Sequence, residues 1–242
     1  LEEILGQADA GAAFALPGPG AFATAVLELA CAEHQRALLG PYFEPGGEDA
    51  FGAVAWSEER PHPDRPGMCT VAVREGASYR IDGTKAFVQN AGIARDYLVL
   101  AQLEPERGWS GLGAFVVAAD APGLSGGERY VTLGLDAARF APLGLDGVKV
   151  AAEARVGPDD SAEMTRPLMR FFAKRALVVG ARALGTAQLA FDLAREYCDT
   201  RVAFGKPIGH FQAVAFTLAD RLMDIESARW MLWRAAWAWD TG

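Results

Sequence analysis

The 242-residue chain is 51% hydrophobic, 10% aromatic and 22% charged, which supplies enough apolar surface for a core and excludes intrinsic disorder. Its 23 Lys and Arg against 31 Asp and Glu leave a formal charge of -8, which excludes sequence-independent nucleic-acid binding through clustered cations. Cys31, Cys69 and Cys198 form no C-x-x-C pair and the three histidines are scattered, so neither a disulfide framework nor a metal site is expected.

Residues 1–47 read as helices with a break. Leu1, Ile4 and Leu5 begin an apolar face, which Leu16-Pro17-Gly18-Pro19-Gly20 interrupts because proline removes a donor and glycine loosens the backbone. Helical periodicity resumes over residues 21–32 through Phe22, Ala25, Val26 and Leu29, and again over 33–43. Residues 48–158 change period. Short strands are predicted at 52–57, 69–74, 97–103, 113–118, 130–133 and 145–150. A hairpin is predicted from 78–81 and 84–88, with Asp82-Gly83 as a type I′ turn. Residues 159–242 are helical again. Thr165 is placed to cap a helix entered at Pro167 and running to about Tyr197. Its small residues Gly180, Ala183, Gly185 and Ala187 would let a neighbouring helix approach closely. Residues 201–211 form a connection, and a second long helix spans about 212–239. The predicted fold class is α+β: N-terminal helices, a small antiparallel β-barrel or sandwich, and the first helices of a C-terminal bundle.

No apolar run is read as reaching transmembrane length, and no basic, apolar leader opens the chain, so a soluble cytoplasmic protein without membrane insertion is expected. The chain begins at Leu1 without a methionine and stops at Gly242 after a helical pattern. Both ends are expected to be cut.

Three motifs carry more. The segment from Arg201 through Phe204-Gly205 and Ile208 to Phe211-Gln212 has the form R-x-x-F-G-x-x-I-x-x-F-Q, followed by Leu218-Ala219-Asp220 and Ile225-Glu226-Ser227-Ala228-Arg229. Tyr79, Ile81, Gly83, Lys85, Phe87-Val88-Gln89 and Asn90 follow Y-x-I-x-G-x-K-x-(W/F)-I-(T/S)-N, with valine for isoleucine at Val88 and a departure at Gln89. Leu145-Asp146-Gly147-Val148-Lys149-Val150 with Gly157 forms the third. In order and spacing, from about residue 7 to 242, these boxes resemble those of the acyl-CoA dehydrogenase family.

The resemblance implies FAD bound between the β domain and the C-terminal helices, across a subunit contact. It implies oxidation of an acyl-CoA thioester at Cα–Cβ, with hydride passing to flavin N5 while a carboxylate base removes the α-proton, and with an electron-transfer flavoprotein as oxidant. The hard redox step belongs to the flavin; the protein orients and tunes. By position, Arg201 would meet the FAD pyrophosphate of a neighbouring subunit, where a planar fork of donors suits phosphate oxygens. Phe204 would pack on the cofactor and Gln212 would hydrogen-bond it. By residue type alone, Arg201 is equally a cation favoured at a helix C-terminus, and Phe204 a core anchor.

On the β domain, Ser57, Phe87, Val88 and Gln89 fall at the family's flavin-ring positions. Where the family reads T-E-P-x-x-G-S-D, this chain reads Ser57-Glu58-Glu59-Arg60-Pro61-His62-Pro63-Asp64. The hydroxyl, Glu58 and Asp64 are retained, but Pro63 can supply neither a hydroxyl nor an N–H. Gln89 is bulkier than the family's hydroxyl residue. No catalytic base is assigned. In most relatives that Glu lies in the segment after the point where this chain stops, and the minority position falls on Arg175, beside Ala176. Arg175, with Arg182, would receive a substrate carboxylate or else form a polar helix edge. Trp230, Trp233, Trp237 and Trp239 form a stripe expected to pack on another helix, within the subunit or across an oligomer contact. His210 is read as a loop residue; His62 is the histidine placed to reach a site. A second reading has the chain as the non-catalytic member of a hetero-oligomer, lending Arg201, Phe204 and Gln212 to a sister chain's flavin.

Overall fold

The structure, a computed structural model, describes residues 1–242 apart from 48, 61 and 242. Residues 15–174 and the remainder, 1–14 with 175–242, form two compact units.

The larger unit holds helices α2 (Gly20–Leu29) and α3 (Ala32–Leu39), strands β1 (Phe51–Ala55), β2 (Val71–Glu75), β3 (Ser78–Gln89), β4 (Ala94–Gln102), β5 (Leu112–Ala118), β6 (Leu124–Gly126), β7 (Phe140–Ala151) and β8 (Arg155–Val156), and the start of α4 (Thr165–Thr200). The strands form one sheet in the order β6-β7-β3-β2-β4-β5-β8, with β1 added on β4. Most pairings are antiparallel as expected, but β1 and β2 meet β4 in parallel, so the sheet is mixed. The apolar run of β4 is buried on both faces. Tyr97, Val99 and Ala101 face one core with Phe115, Ile81 and Leu143, while Leu98 and Leu100 face a second with Phe22, Val26 and Phe171.

Three local expectations are corrected. Residues 78–89 are one continuous strand rather than a hairpin. Asp82 does not turn the chain: its Oδ1 accepts the Gly147 N–H at 2.8 Å. Gly83, at φ +148°, lets Thr70 approach so closely that a Cβ would lie 2.6 Å from the Thr70 Cα. The turn is the two-residue loop Gly76-Ala77 between β2 and β3, with Gly76 at φ +64°. Residues 130–133 form no strand; Val131 and Leu133 are fully exposed, and the pairing strand nearby is β6. Thr165 is already helical, and the cap lies earlier, where the Asp160 side chain accepts the Ala162 N–H of a short 3₁₀ turn, Ser161–Met164.

The second unit contains most of α1 (Glu2–Ala15), α4 from Arg175 onward, the short hairpin β9 (Val202–Ala203) and β10 (Lys206–Pro207), and α5 (Gln212–Thr241). Helix α1 is broken at Asp9, whose Oδ1 recaps it on the N–H groups of Gly11 and Ala12. Leu184, Phe191 and Ile225 are buried together. The small residues act partly as expected: Gly180 faces Leu232 and Gly185 admits α1, whereas Ala183 and Ala187 are exposed. A Cβ on Gly185 would lie 2.0 Å from the Glu3 carbonyl oxygen, and one on Gly6 would lie 2.2 Å from that of Arg182. Gly185→Ala is therefore expected to lower stability by about 1 kcal/mol in urea unfolding, since overpacking of about 1–3 kcal/mol is offset only in part by the gain of about 1 kcal/mol in helix propensity. Ala183→Leu, on the open face, should change little.

The segment Ser161–Thr200 is long and apolar enough, by length and composition, to cross a membrane. This corrects the expectation that no run reaches that length. Ala176, Ala181, Ala183, Ala187 and Ala190 raise its mean hydropathy, while Arg182 within it is ion-paired to Glu2 of α1.

Candidate cofactor site

In the larger unit, Ser57, Phe87, Val88 and Gln89 lie on one shelf, where the chain leaving β1 runs against β3. The contact is direct: the Ala86 N–H donates to the Ser57 carbonyl at 2.8 Å. It is possible because the β3–β7 register shifts between Lys85 and Val88, a bulge that releases Ala86 from the ladder. At the bulge Phe87 takes φ +52°, a left-handed conformation that a bulky residue seldom adopts, and its ring stays 59% exposed. The ring stacks on Tyr130, with centroids 4.6 Å apart and planes 27° from parallel. Val88 is buried in the sheet core, so only its backbone could meet a ligand there. Gln89 and the Ser57 side chain are half-buried.

Beneath the shelf lies an ion pair that the sequence motifs contained but whose closeness they did not reveal. Lys85 Nζ meets Glu58 Oε1 at 2.8 Å, with both side chains nearly closed to solvent. Burial raises the Glu58 carboxyl, but the Lys85 ammonium and the Thr70 contacts outweigh it and hold the pKa at about 2. Burial also pulls Lys85 below its usual value, against the opposing pull of Glu58. The altered loop beyond Glu58 turns on itself, with His62 Nδ1 accepting the Asp64 N–H at 3.2 Å. That contact gives His62 a structural role. An open cavity of about 310 Å³ adjoins the shelf between Trp56 and Trp109, lined also by Ser57 and Glu58.

In the other unit, Arg201 ends α4 and leads into the β9–β10 hairpin, whose two-residue loop is Phe204-Gly205. Both loop residues have positive φ, +51° and +83°, as a type I′ turn requires. Phe204 is 96% exposed and meets Phe211 edge-on at 6.2 Å, so it anchors no core. Arg201 and Gln212, the latter opening α5, are also exposed. His210 is a loop residue in a short 3₁₀ turn.

Arg175 and Arg182 do not form the free pair the sequence allowed. Arg182 is bound to Glu2 and lies 4.5 Å over the Phe14 ring. Burial first, and then the like charge of Arg182, pulls the Arg175 guanidinium below its usual pKa. Three members of the tryptophan stripe are exposed: Trp230 and Trp233, which touch edge-on at 5.3 Å, and Trp237; Trp239 is half-buried.

Each unit by itself carries groups whose chemistry fits part of a flavin dinucleotide. In the larger unit, an aromatic face at Phe87 and a hydroxyl at Ser57 suit a ring system; in the other unit, the exposed guanidinium of Arg201 suits a phosphate. The cavity beside Trp56 is large enough for part of such a ligand and too small for all of it.

Comparison with known proteins agrees. The family model of the acyl-CoA dehydrogenase middle domain matches residues 53–148 and that of the C-terminal domain matches 165–242, together well over half the chain. A short-chain specific acyl-CoA dehydrogenase of Megasphaera elsdenii is 32% identical over 236 residues, 97% of this chain and 60% of that protein. A cyclohex-1-ene-1-carbonyl-CoA dehydrogenase of Geobacter metallireducens is 34% identical over 197 residues, 81% of this chain and 51% of that protein. The solved structure of butyryl-CoA dehydrogenase from Megasphaera elsdenii superposes with a TM-score of 0.83 at 30% identity, covering 96% of this chain and 60% of that one. The chain thus spans 51–60% of the length of these relatives. With its fold, its motifs and both domain matches in agreement, the chain belongs to the acyl-CoA dehydrogenase family.

Proposed function

We propose that the protein is an FAD-dependent acyl-CoA dehydrogenase that oxidises an acyl-CoA thioester at Cα–Cβ, with an electron-transfer flavoprotein as oxidant. The observation that carries this reading is the shelf on which Ser57 and an exposed Phe87 are joined by the Ala86–Ser57 hydrogen bond. When bound, FAD supplies the acceptor for the hydride leaving the substrate β-carbon. The chain's own groups hold and orient: the Ser57 hydroxyl and the backbone at Val88 and Gln89 meet the ring system, and the ring of Phe87 lies beside it. Arg201, Phe204 and Gln212 bind the pyrophosphate side of a cofactor carried by a neighbouring copy or a homologous subunit. Arg175 is offered to the polar part of the acyl group. A guanidinium stays protonated, so Arg175 is no base, and no catalytic base is assigned. The exposed tryptophans of α5 are covered in the oligomer, and a cytoplasmic location belongs to the same reading.

A second reading is favoured by one contrast. The box at Arg201, Phe204 and Gln212 is intact and exposed, whereas Pro63 replaces the serine of the flavin-ring loop. A non-catalytic subunit that completes a sister chain's site would keep the first and lose the second. Absorption spectroscopy separates the two. The protein purified alone is expected to show a flavin band; a colourless protein that gains FAD only on co-expression with a homologous subunit would establish the second reading instead.

A further inference from the structure

Lys85 is wholly closed to solvent and Glu58 nearly so, a costly state for two charges unless their remaining hydrogen-bonding groups are met. Here they are met, and by groups from three pieces of chain. Glu58 Oε1 accepts from Lys85 Nζ at 2.8 Å and from the Thr70 N–H at 2.9 Å, while Oε2 accepts from the Cys69 N–H at 2.6 Å. Lys85 Nζ also reaches the Trp56 carbonyl at 3.4 Å and lies 3.3 Å from Met68 Sδ. The next residue of β3, Ala86, donates to the Ser57 carbonyl. Consecutive residues of β3 therefore grip three consecutive residues, Trp56, Ser57 and Glu58. Phe87 follows immediately on the gripping strand.

Stability alone does not call for this arrangement. Buried ion pairs are often replaced by apolar residues of similar volume with no loss of folding free energy. What an apolar replacement could not do is fix the height and direction of the peptide carrying Ser57. The same carboxylate also ties the start of the altered loop, at Glu58, to its end, at Cys69 and Thr70. The replacements at Glu59, His62 and Pro63 are thus held between two clamped ends.

We propose that Lys85 and Glu58 are positioning residues of the flavin shelf, an internal strut that holds the Ser57 hydroxyl and the Phe87 ring at one fixed spacing for the cofactor. This rests on the flavin reading above and adds to it two residues that touch no ligand.

The test uses the whole protein, or its complex with a sister chain if it proves to need one. FAD affinity is measured by fluorescence titration, the bound flavin's absorption spectrum is recorded, and thermal unfolding is followed in parallel. Lys85→Met leaves a buried carboxylate alone and is expected to unfold readily. The informative variant is therefore the double substitution Lys85→Met with Glu58→Gln, which removes both charges and keeps one amide oxygen as acceptor for one of the two loop N–H groups. It is expected to stay folded with a modestly lower melting temperature, to bind FAD at least tenfold more weakly, and to show a bound-flavin spectrum shifted toward that of free FAD. Lys85→Arg, which keeps a charged donor, should recover part of the affinity. Unchanged FAD affinity and spectrum in a folded double variant would overturn the strut. So would an affinity that falls only in step with a falling melting temperature. A wild-type protein that binds no FAD under any of these conditions would instead overturn the flavin reading itself.

Discussion

Gln102→Leu should destabilise the larger unit by about 4 kcal/mol, although the substitution conserves size and exposes nothing. Gln102 is 1% exposed at the end of β4, and its amide serves four backbone groups. Its Oε1 accepts the Met68 N–H at 2.9 Å, and its Nε2 lies 3.0, 2.8 and 3.1 Å from the carbonyl oxygens of Glu104, Gly108 and Gly111. A leucine would fill the space and satisfy none of them. The Met68 N–H, left without its acceptor, costs about 1–3 kcal/mol, and the two hydrogens of Nε2 give up bonds worth about 0.5–1.5 kcal/mol each to carbonyls that keep a backbone N–H partner; together these losses reach the expected figure. Against a typical stability of about 5–15 kcal/mol, that is a large share. Urea unfolding at unchanged slope is the measurement. A loss under about 1 kcal/mol would mean that water replaces the amide. The consequence reaches the shelf, because the freed amide belongs to Met68, whose sulfur lies against Lys85 Nζ. Weaker FAD retention should accompany the lost stability.

The same residues explain what the sequence made legible. The run around β4 reads as a strand because a strand buried on both faces is apolar without alternation, and Tyr97 to Ala101 divide between two cores. The long helix α4 is legible because it carries its apolar residues at helical spacing over many turns, and α5 because Gln212–Thr241 runs without a glycine or proline to break it. Asp82-Gly83 misleads for a physical reason. The residues that favour a tight turn are also those that accept a cross-strand N–H and admit a close neighbour, and here Gly147 and Thr70 take up those capacities. Tyr130 to Leu133 alternate like a strand, but the contact with β7 stops at the Tyr130 N–H, which donates to the Phe140 carbonyl at 2.8 Å, and the Tyr130 ring packs against that of Phe87. In the candidate site, the motif positions are legible one by one. The strut is not, since Glu58 and Lys85 are 27 residues apart and no local pattern announces that their charges meet.

Phe204→Asn is expected to separate folding from function in opposite directions. At φ +51°, a phenylalanine carries a left-handed penalty of about 1–2 kcal/mol. Asparagine, which tolerates that conformation far better, should relieve part of it. Among the described residues no packing that would repay the strain is seen, since Phe204 is almost fully exposed and meets Phe211 edge-on. Strain without local compensation points to a use for the ring, and the proposed use is packing on a cofactor held by a neighbouring subunit. The variant should therefore melt at the same temperature as the wild type or higher, yet retain FAD less well at low cofactor concentration. Arg201→Ala gives the larger effect on binding. Losing a charge-assisted hydrogen bond of about 1.5–3 kcal/mol to a phosphate oxygen corresponds to roughly 10- to 150-fold in affinity. Little stability should be lost with it, because the guanidinium is exposed and the backbone bonds of Arg201 to Tyr197 and Ile208 survive the substitution. Unchanged FAD occupancy in both variants of the assembled protein would leave the box a helix connection and remove the neighbouring-subunit half of the proposed site. Loss in both, with folding intact, would make the strained hairpin a cofactor clasp maintained at the expense of local stability.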